Sequence, residues 1–181
     1  MGNKLLIGAK QIDIILHRLT CQLIENHGSF LDTVLIGIQP RGIDVLDRIV
    51  SILQSEYQIE QPATGQLDIT FYRDDFRRRD EPLRANTTAI NVVLEGKKVV
   101  LIDDVLFTGR SVRAALTAIE SYGRPSEIEL LVLIDRRFSR SLPIQPTYKG
   151  KQVDAFNDEK VQVKWGDKAS GDAVYVIPKS N

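Results

Sequence analysis

Residues 99–119 read VVLIDDVLFTGRSVRAALTAI, and the fold turns on how this stretch divides. Val99, Val100, Leu101 and Ile102 form a short continuous apolar run, suited to a strand covered on both faces in a parallel sheet. From Ser111 the spacing becomes helical. Val112, Ala115, Leu116 and Ile119 share one face, and Gly123 with Pro125 ends the helix. Strand, turn and helix make the first half of a βαβ unit. Between them stand two adjacent carboxylates, Asp103 and Asp104. Folding alone does not need them, because they repel each other and each loses hydration among apolar neighbours.

Open α/β sheets bind ligands at the carboxyl ends of their strands. The turn Phe107-Thr108-Gly109-Arg110-Ser111 offers backbone N–H groups, two hydroxyls and a cation at a helix N-terminus, which suits a phosphate. Asp103 and Asp104 can accept hydrogen bonds from the vicinal hydroxyls of a sugar, or hold a hydrated divalent cation. A phosphate pocket beside a diol-reading carboxylate pair describes a ribose 5-phosphate. Other phosphate motifs fit worse. A Walker A loop needs a glycine five residues before Gly109 and a lysine after it, where this chain has Asp104 and Arg110. The dinucleotide fingerprint needs three glycines, and Gly109 stands alone. An aspartyl-phosphatase D-x-D pattern fails at Val105. The plain alternative, that Asp103 and Asp104 end a strand and cap a turn, stays open on this stretch alone.

Working outward, helices and strands alternate. Ala9 to His27 is an amphipathic helix with Ile12, Ile15, Leu16, Leu19 and Leu23 inward and Gly28 as its stop. Thr33 to Ile38 is a buried strand, and Gly42 to Ser55 a helix presenting Val45, Leu46, Ile49, Val50 and Leu53. Leu67 to Tyr72 alternates as a half-exposed strand does. Strand 98–102, helix 111–122 and strand 127–134 follow, then short strands near 161–165 and 173–177. This order predicts an α/β fold with a mostly parallel sheet and helices on both faces.

A chain of 181 residues is long enough for one well-formed core. With 24 basic and 24 acidic residues it has no global field drawing it to nucleic acid or membrane. Its single cysteine, Cys21, excludes an intramolecular disulfide and sits on a helical pattern as a core or interface residue. No apolar run has the ~20 residues of a membrane span. MGNKLL shows no signal-peptide pattern, and position 6 lacks the Ser or Thr of a myristoylation site. A soluble cytoplasmic protein without membrane contact is expected.

Three further constellations bear on chemistry. Gln39-Pro40-Arg41-Gly42 lies at a strand end before a helix, where the Arg41 fork and the Gly42 N–H suit an anion. Tyr72 to Pro82 is too charged for a core and reads as a solvated loop. Asp135-Arg136-Arg137 ends a further strand. His17 and His27 lie on the first helix away from every strand end and read as structural. No His/Cys cluster has zinc spacing.

The run 99–111 resembles the phosphoribosyl-pyrophosphate (PRPP) motif of the type I phosphoribosyltransferases: four apolar residues, two acidic ones, then a T-G-x-S/T turn. LIGIQPRG at 35–42, LDITFYRDDF at 67–76, RPSEIELLVLIDRR at 124–137 and LPIQPTYKGK at 142–151 resemble the PyrR proteins of that superfamily. Those proteins are uracil phosphoribosyltransferases and often RNA-binding regulators of pyrimidine genes. The matches are collinear and cover nearly the whole chain.

The resemblance implies one phosphoribosyltransferase domain over 1–181, with a flexible lid at about 73–84 and a small hood at about 137–181 over the base. It implies transfer from PRPP to uracil, giving UMP and pyrophosphate with Mg²⁺, in a homodimer or higher homo-oligomer. Asp103 and Asp104 would hold the ribose hydroxyls and metal, and Phe107, Thr108, Gly109, Arg110 and Ser111 the 5-phosphate. Arg41 and Gly42 would hold the pyrophosphate, with Arg73 reaching it from the lid, and Asp135 and Arg136 would lie toward the base. A cis peptide is expected within 39–42, where Pro40 departs from a usually polar position. Purine-specific relatives commonly carry a carboxylate at the place of Phe107, near purine N7; a ring cannot accept that proton, so a pyrimidine is favoured. The alternatives are a purine phosphoribosyltransferase and an RNA-binding attenuator that senses UMP or PRPP.

Against RNA binding stand the neutral charge and residues 137–145. There PyrR proteins typically have G-H-R-E-L-P-I-R, and this chain has RFSRSLPIQ, one residue longer, without the His, and with Gln145 for an Arg. Arg136, Arg137, Arg140, Lys149 and Lys151 could still form a local patch. Weak or absent specific RNA binding is expected.

Overall fold

The computed structural model describes residues 3–60, 62–73, 87–154, 159–166 and 171–178. The lid expected at about 73–84 lies outside these residues except for Arg73, and the expected hood is described only in part.

The element order is β1 (Lys4–Gly8), α1 (Ala9–His27), β2 (Thr33–Ile38), α2 (Gly42–Tyr57), β3 (Ala63–Leu67), β4 (Lys98–Leu106), α3 (Arg110–Ile119), β5 (Glu127–Arg136), β6 (Tyr148–Val153), β7 (Glu159–Lys164) and β8 (Ala173–Pro178). Five strands form one sheet in the order β3-β2-β4-β5-β6, with every neighbouring pair parallel. The antiparallel sheet β1-β8-β7 stands beside it.

The period-2 pleat divides each central strand between two cores. Leu35, Val100, Ile102, Leu131 and Leu133 pack with Leu16, Leu19 and Leu23 of α1 and Val45, Ile49 and Leu53 of α2. Val34, Ile36, Val99, Leu101, Leu130 and Val132 face α3, through Val112, Ala115 and Ile119. Helices therefore cover both faces, as the apolar runs predict. The small sheet joins the first core through Ile7, Val161, Val163 and Val174. Among the described residues no helix is long and apolar enough to cross a membrane.

Four local expectations are corrected. The strand expected at 67–72 lies earlier, at Ala63–Leu67, and Thr70–Tyr72 is a single 3₁₀ turn. Asp68 is the cause: its carboxylate accepts the Thr70 N–H at 2.8 Å and the Thr70 hydroxyl at 2.5 Å, a local turn that competes with the ladder. β4 does not stop at Ile102 but runs to Leu106, so both carboxylates lie within the strand. On α3, Leu116 faces outward, and small residues, Ala114 and Ala118, complete the buried arc. β1 and β6 were not foreseen. The two histidines do fall on structural positions: His27 bonds Thr33 and Tyr148, each at 3.0 Å, and pairs with Glu129, while His17 bonds Glu56 at 2.7 Å. Cys21 is half-buried with its sulfur 3.0 Å from the Tyr57 hydroxyl.

Candidate active site

The site forms where β4 outruns one neighbour. β2 pairs with β4 only as far as Gly37↔Ile102, whereas β5 follows it to Leu106↔Asp135. Asp103 and Asp104 thus sit past the last β2 partner, with one strand side opened by the turn 39–42.

That turn is drawn in by a missing side chain. The Gln39–Pro40 peptide is cis. A Cβ on Gly42 would run into the Ile102 carbonyl oxygen and come within 3.3 Å of the Asp103 Cα. Only glycine lets the N-terminus of α2 approach β4 this closely. Arg41, just before it, places Nη1 3.7 Å from Asp104 Oδ2.

The two carboxylates are not equivalent to surface aspartates. The Asp104 N–H donates to Asp103 Oδ1 at 2.9 Å. Burial, then the neighbouring Asp104 charge, pushes the Asp103 carboxyl well above its ordinary value. Burial also raises Asp104, against the opposing pull of Arg41. Asp104 Oδ2 is buried and accepts no hydrogen bond among the described residues. Arg41 offsets part of its charge at 3.7 Å, but a buried carboxylate oxygen without a hydrogen bond, beside a second carboxylate, is still an arrangement that a closer cation or a hydroxyl donor relieves.

Beyond β4 the chain turns at Gly109, whose φ of +90° is left-handed, and α3 begins. Its first N–H groups have no partner within the helix, as at any helix start; the Thr108 hydroxyl oxygen accepts the Arg110 N–H loosely, at 3.4 Å. A cavity of about 180 Å³ is lined by Arg73, Asp103 and the whole turn 107–111. The structure thus brings Asp103, Arg73 and the expected phosphate turn to one hollow, whereas Asp104, Arg41 and Gly42 are not part of its lining.

Asp135 and Arg136 line a separate, larger cavity of about 720 Å³ on the far side of β5's end. Both are buried. Asp135 gives one carboxylate oxygen to Arg140 and the other to Gln152 at 3.1 Å. The Arg136 guanidinium lies 4.0 Å over the Phe107 ring, and burial holds it below the ordinary arginine value. One residue the sequence did not single out for the site emerges, Arg140, and a second unforeseen contact, at Trp165, is structural. Arg140 reaches the carbonyls at the ends of β4 and β5. Trp165 carries the Arg48 guanidinium 4.0 Å over its ring, and Arg48 forks onto Asp172, fastening α2 to the β7–β8 hairpin. Arg140 bonds mostly main-chain carbonyls, which leave no signature in side-chain spacing. No group of three or more potential metal-ligating side chains occurs among the described residues, so a metal here would rest on the Asp103–Asp104 pair and its ligand.

Comparison with known proteins bears on the family and the fold. The phosphoribosyl transferase domain model matches residues 8–167. The bifunctional protein PyrR of Chloroflexus aurantiacus is 42% identical over 178 residues, 98% of this chain and 97% of that protein. The Enterococcus faecalis protein of the same name is 38% identical over 181 residues, 100% of this chain and 99% of its own. Among solved structures, a hypoxanthine-guanine phosphoribosyltransferase from Bacillus anthracis matches with a TM-score of 0.70 at 14% identity, covering 98% of this chain and 99% of that one. The hypoxanthine phosphoribosyltransferase of Trypanosoma cruzi matches at 0.69 and 15%, covering 97% of each chain. At these identities the solved structures speak to the fold.

Proposed function

The chain belongs to the phosphoribosyl transferase family and, within it, to the PyrR proteins, and on that premise we propose that it transfers the phosphoribosyl group of PRPP to uracil, giving UMP and pyrophosphate. The observation that carries this reading is the apposition of Asp103 and the turn 107–111 around one hollow. The 5-phosphate binds the N–H groups at the start of α3 and the hydroxyls of Thr108 and Ser111. Asp103 and Asp104 accept the ribose hydroxyls, a charge-assisted pairing that orients the anomeric carbon. The Arg41 fork and the Gly42 N–H hold the pyrophosphate, joined by Arg73. The bond from the anomeric carbon to pyrophosphate breaks as uracil N1 bonds to that carbon, and the N1 proton leaves to the medium. These cationic and N–H groups stabilise charge where it develops on the leaving group.

The Asp104 oxygen that accepts no hydrogen bond, next to the Asp103 carboxylate, fits a divalent cation at this end, which Asp103 and Asp104 would hold. When bound, Mg²⁺ supplies charge neutralisation for the pyrophosphate. Phe107 bears on the choice of base. It is an apolar ring at the edge of the site, offers no acceptor for a purine N7 proton, and is stacked with Arg136. Asp135 and Arg136 belong to the base side. We read residues 1–181 as one domain with a lid at about 73–84 and a hood at about 137–181, acting in the cytoplasm as a homodimer or higher homo-oligomer.

A PRPP-dependent assay over uracil, hypoxanthine, guanine and adenine, read by pyrophosphate release, tests the proposal. Uracil should have the highest kcat/KM. A higher value for any purine sinks the pyrimidine assignment.

A further inference from the structure

Transfer of a ribosyl group demands that two walls stay in register. One is the phosphate turn after β4; the other is the end of β5, toward the base. Arg140, in the connection from β5 to β6, sits between them. Its Nε donates to the Ile144 carbonyl at 3.1 Å. Its Nη1 donates to the Leu106 carbonyl at 3.2 Å, the Arg136 carbonyl at 2.9 Å and the Phe107 carbonyl. Its Nη2 pairs with the Asp135 carboxylate. One guanidinium therefore gathers acceptors from β4's end, β5's end and its own loop.

The same loop rests on the phosphate turn. The Ser141 N–H donates to the Thr108 carbonyl at 3.0 Å. Ile144 Cδ1 lies 3.1 Å from where a Cβ on Gly109 would be, so loop and turn touch with no slack. Phe107 and Arg136, the stacked pair at the base side, both give their carbonyls to Arg140.

We infer that Arg140 is a positioning residue that holds the Phe107–Arg136 pair and the phosphate turn in one fixed relation, so that base and ribose phosphate meet in register. This deepens the phosphoribosyl-transfer reading and rests on it. Asp135 then acts as an internal counter-charge that aims the Arg140 fork, with both its oxygens already engaged. A lysine would keep the charge opposite Asp135 but not the planar fork that spans both strand ends.

The test uses the full chain with Arg140→Lys, Arg140→Gln and Arg140→Ala, and two independent measurements. In steady-state kinetics with PRPP and uracil, kcat per folded molecule should fall about 100-fold in the Lys and Gln variants, the scale for loss of a near-attack geometry. The KM of each substrate should stay close to wild type, because each wall keeps its own contacts. Millimolar ethylguanidinium should restore part of the Arg140→Ala activity, and ethylammonium should not. In amide hydrogen exchange, Ser141 and residues 107–111 should speed up together in every variant while β2 is unchanged. Wild-type kcat in Arg140→Lys overturns the inference, as does faster exchange confined to 137–146. Should the wild-type chain turn over no base at all, the reaction assignment fails, and the exchange measurement alone still decides whether Arg140 ties the two segments.

Discussion

Replacing both strand carboxylates, Asp103→Asn with Asp104→Asn, separates binding chemistry from folding. Each carboxylate is assigned a hydrogen bond from a ribose hydroxyl, and a bond to a charged group is worth about 1.5–3 kcal/mol. Two such bonds amount to about 3–6 kcal/mol, or about 10²–10⁴ in kcat/KM. Stability should move the other way. Asn retains an oxygen for the Asp104 N–H, while the buried charge that raises both carboxyls, and the Asp104 repulsion that adds to it at Asp103, are removed. A carboxyl raised in the folded state favours the fold in its neutral form. That advantage is complete below the unfolded value near 3.9 and is lost as pH rises through the folded one. Asn stays neutral throughout. The double variant should therefore melt at or above the wild-type temperature at pH 7, with the gap closing toward pH 4. The assays are pyrophosphate release across PRPP concentrations and thermal melts at both pH values. A variant that melts normally and keeps near wild-type kcat/KM would refute the ribose-binding assignment.

Gly42→Ala should cost about 1–3 kcal/mol, the usual range for overpacking, because the added methyl meets the Ile102 carbonyl and Asp103 Cα. Chemical denaturation measures that loss, and KM for PRPP should rise with it as Arg41 is levered away; an unchanged KM would detach this turn from pyrophosphate binding. Specific RNA binding should be weak or absent, because three of the five local cations are committed: Arg136 is buried, Arg137 forks onto Asp154 at 2.6 Å, and Arg140 turns inward, which leaves the exposed Lys149 and Lys151. A titration at physiological salt with leader RNA from the organism's own pyrimidine genes checks this; sub-micromolar binding strengthened by UMP and absent for a scrambled RNA would contradict it.

Much of the fold was legible because the central strands are buried on both faces and α1, α2 and α3 carry helical spacing. The failures have local causes. β6, of sequence YKGKQV, is an edge strand among the described residues, and its largely polar composition makes its pattern resemble a loop. β1 is five residues long, and its partner β8 lies at the far end of the described chain. Leu116 drew attention on α3, whereas Ala114 and Ala118, which carry little hydrophobic signal, join Val112, Ala115 and Ile119 in the packing. Within the site, Asp103, Asp104 and the turn 107–111 were legible because they are consecutive, so strand, bend and helix order alone brings them together. Arg41 and Gly42 could be read from the same strand-to-helix logic. Arg140 could not: apart from its pairing with Asp135, its bonds end on carbonyl oxygens that every residue possesses.

The pairing of β1 with β8, Lys4↔Val176 through Gly8↔Ala173, bears on how the molecule comes into being. All five strands of the parallel sheet have been synthesised by Val153, and with them Asp103, the turn 107–111 and the inward arginine. β1 emerges before any of these and finds its partner only after residue 178 has been made. Bringing such distant segments together carries a loop-closure entropy that grows only slowly with length, but none of it is repaid until the last strand arrives. Synthesis order thus completes the parallel sheet and its candidate site before the second sheet can close. Until that step the β1 edge stands open, a row of unpaired backbone groups at which a growing chain is most exposed to pairing with another.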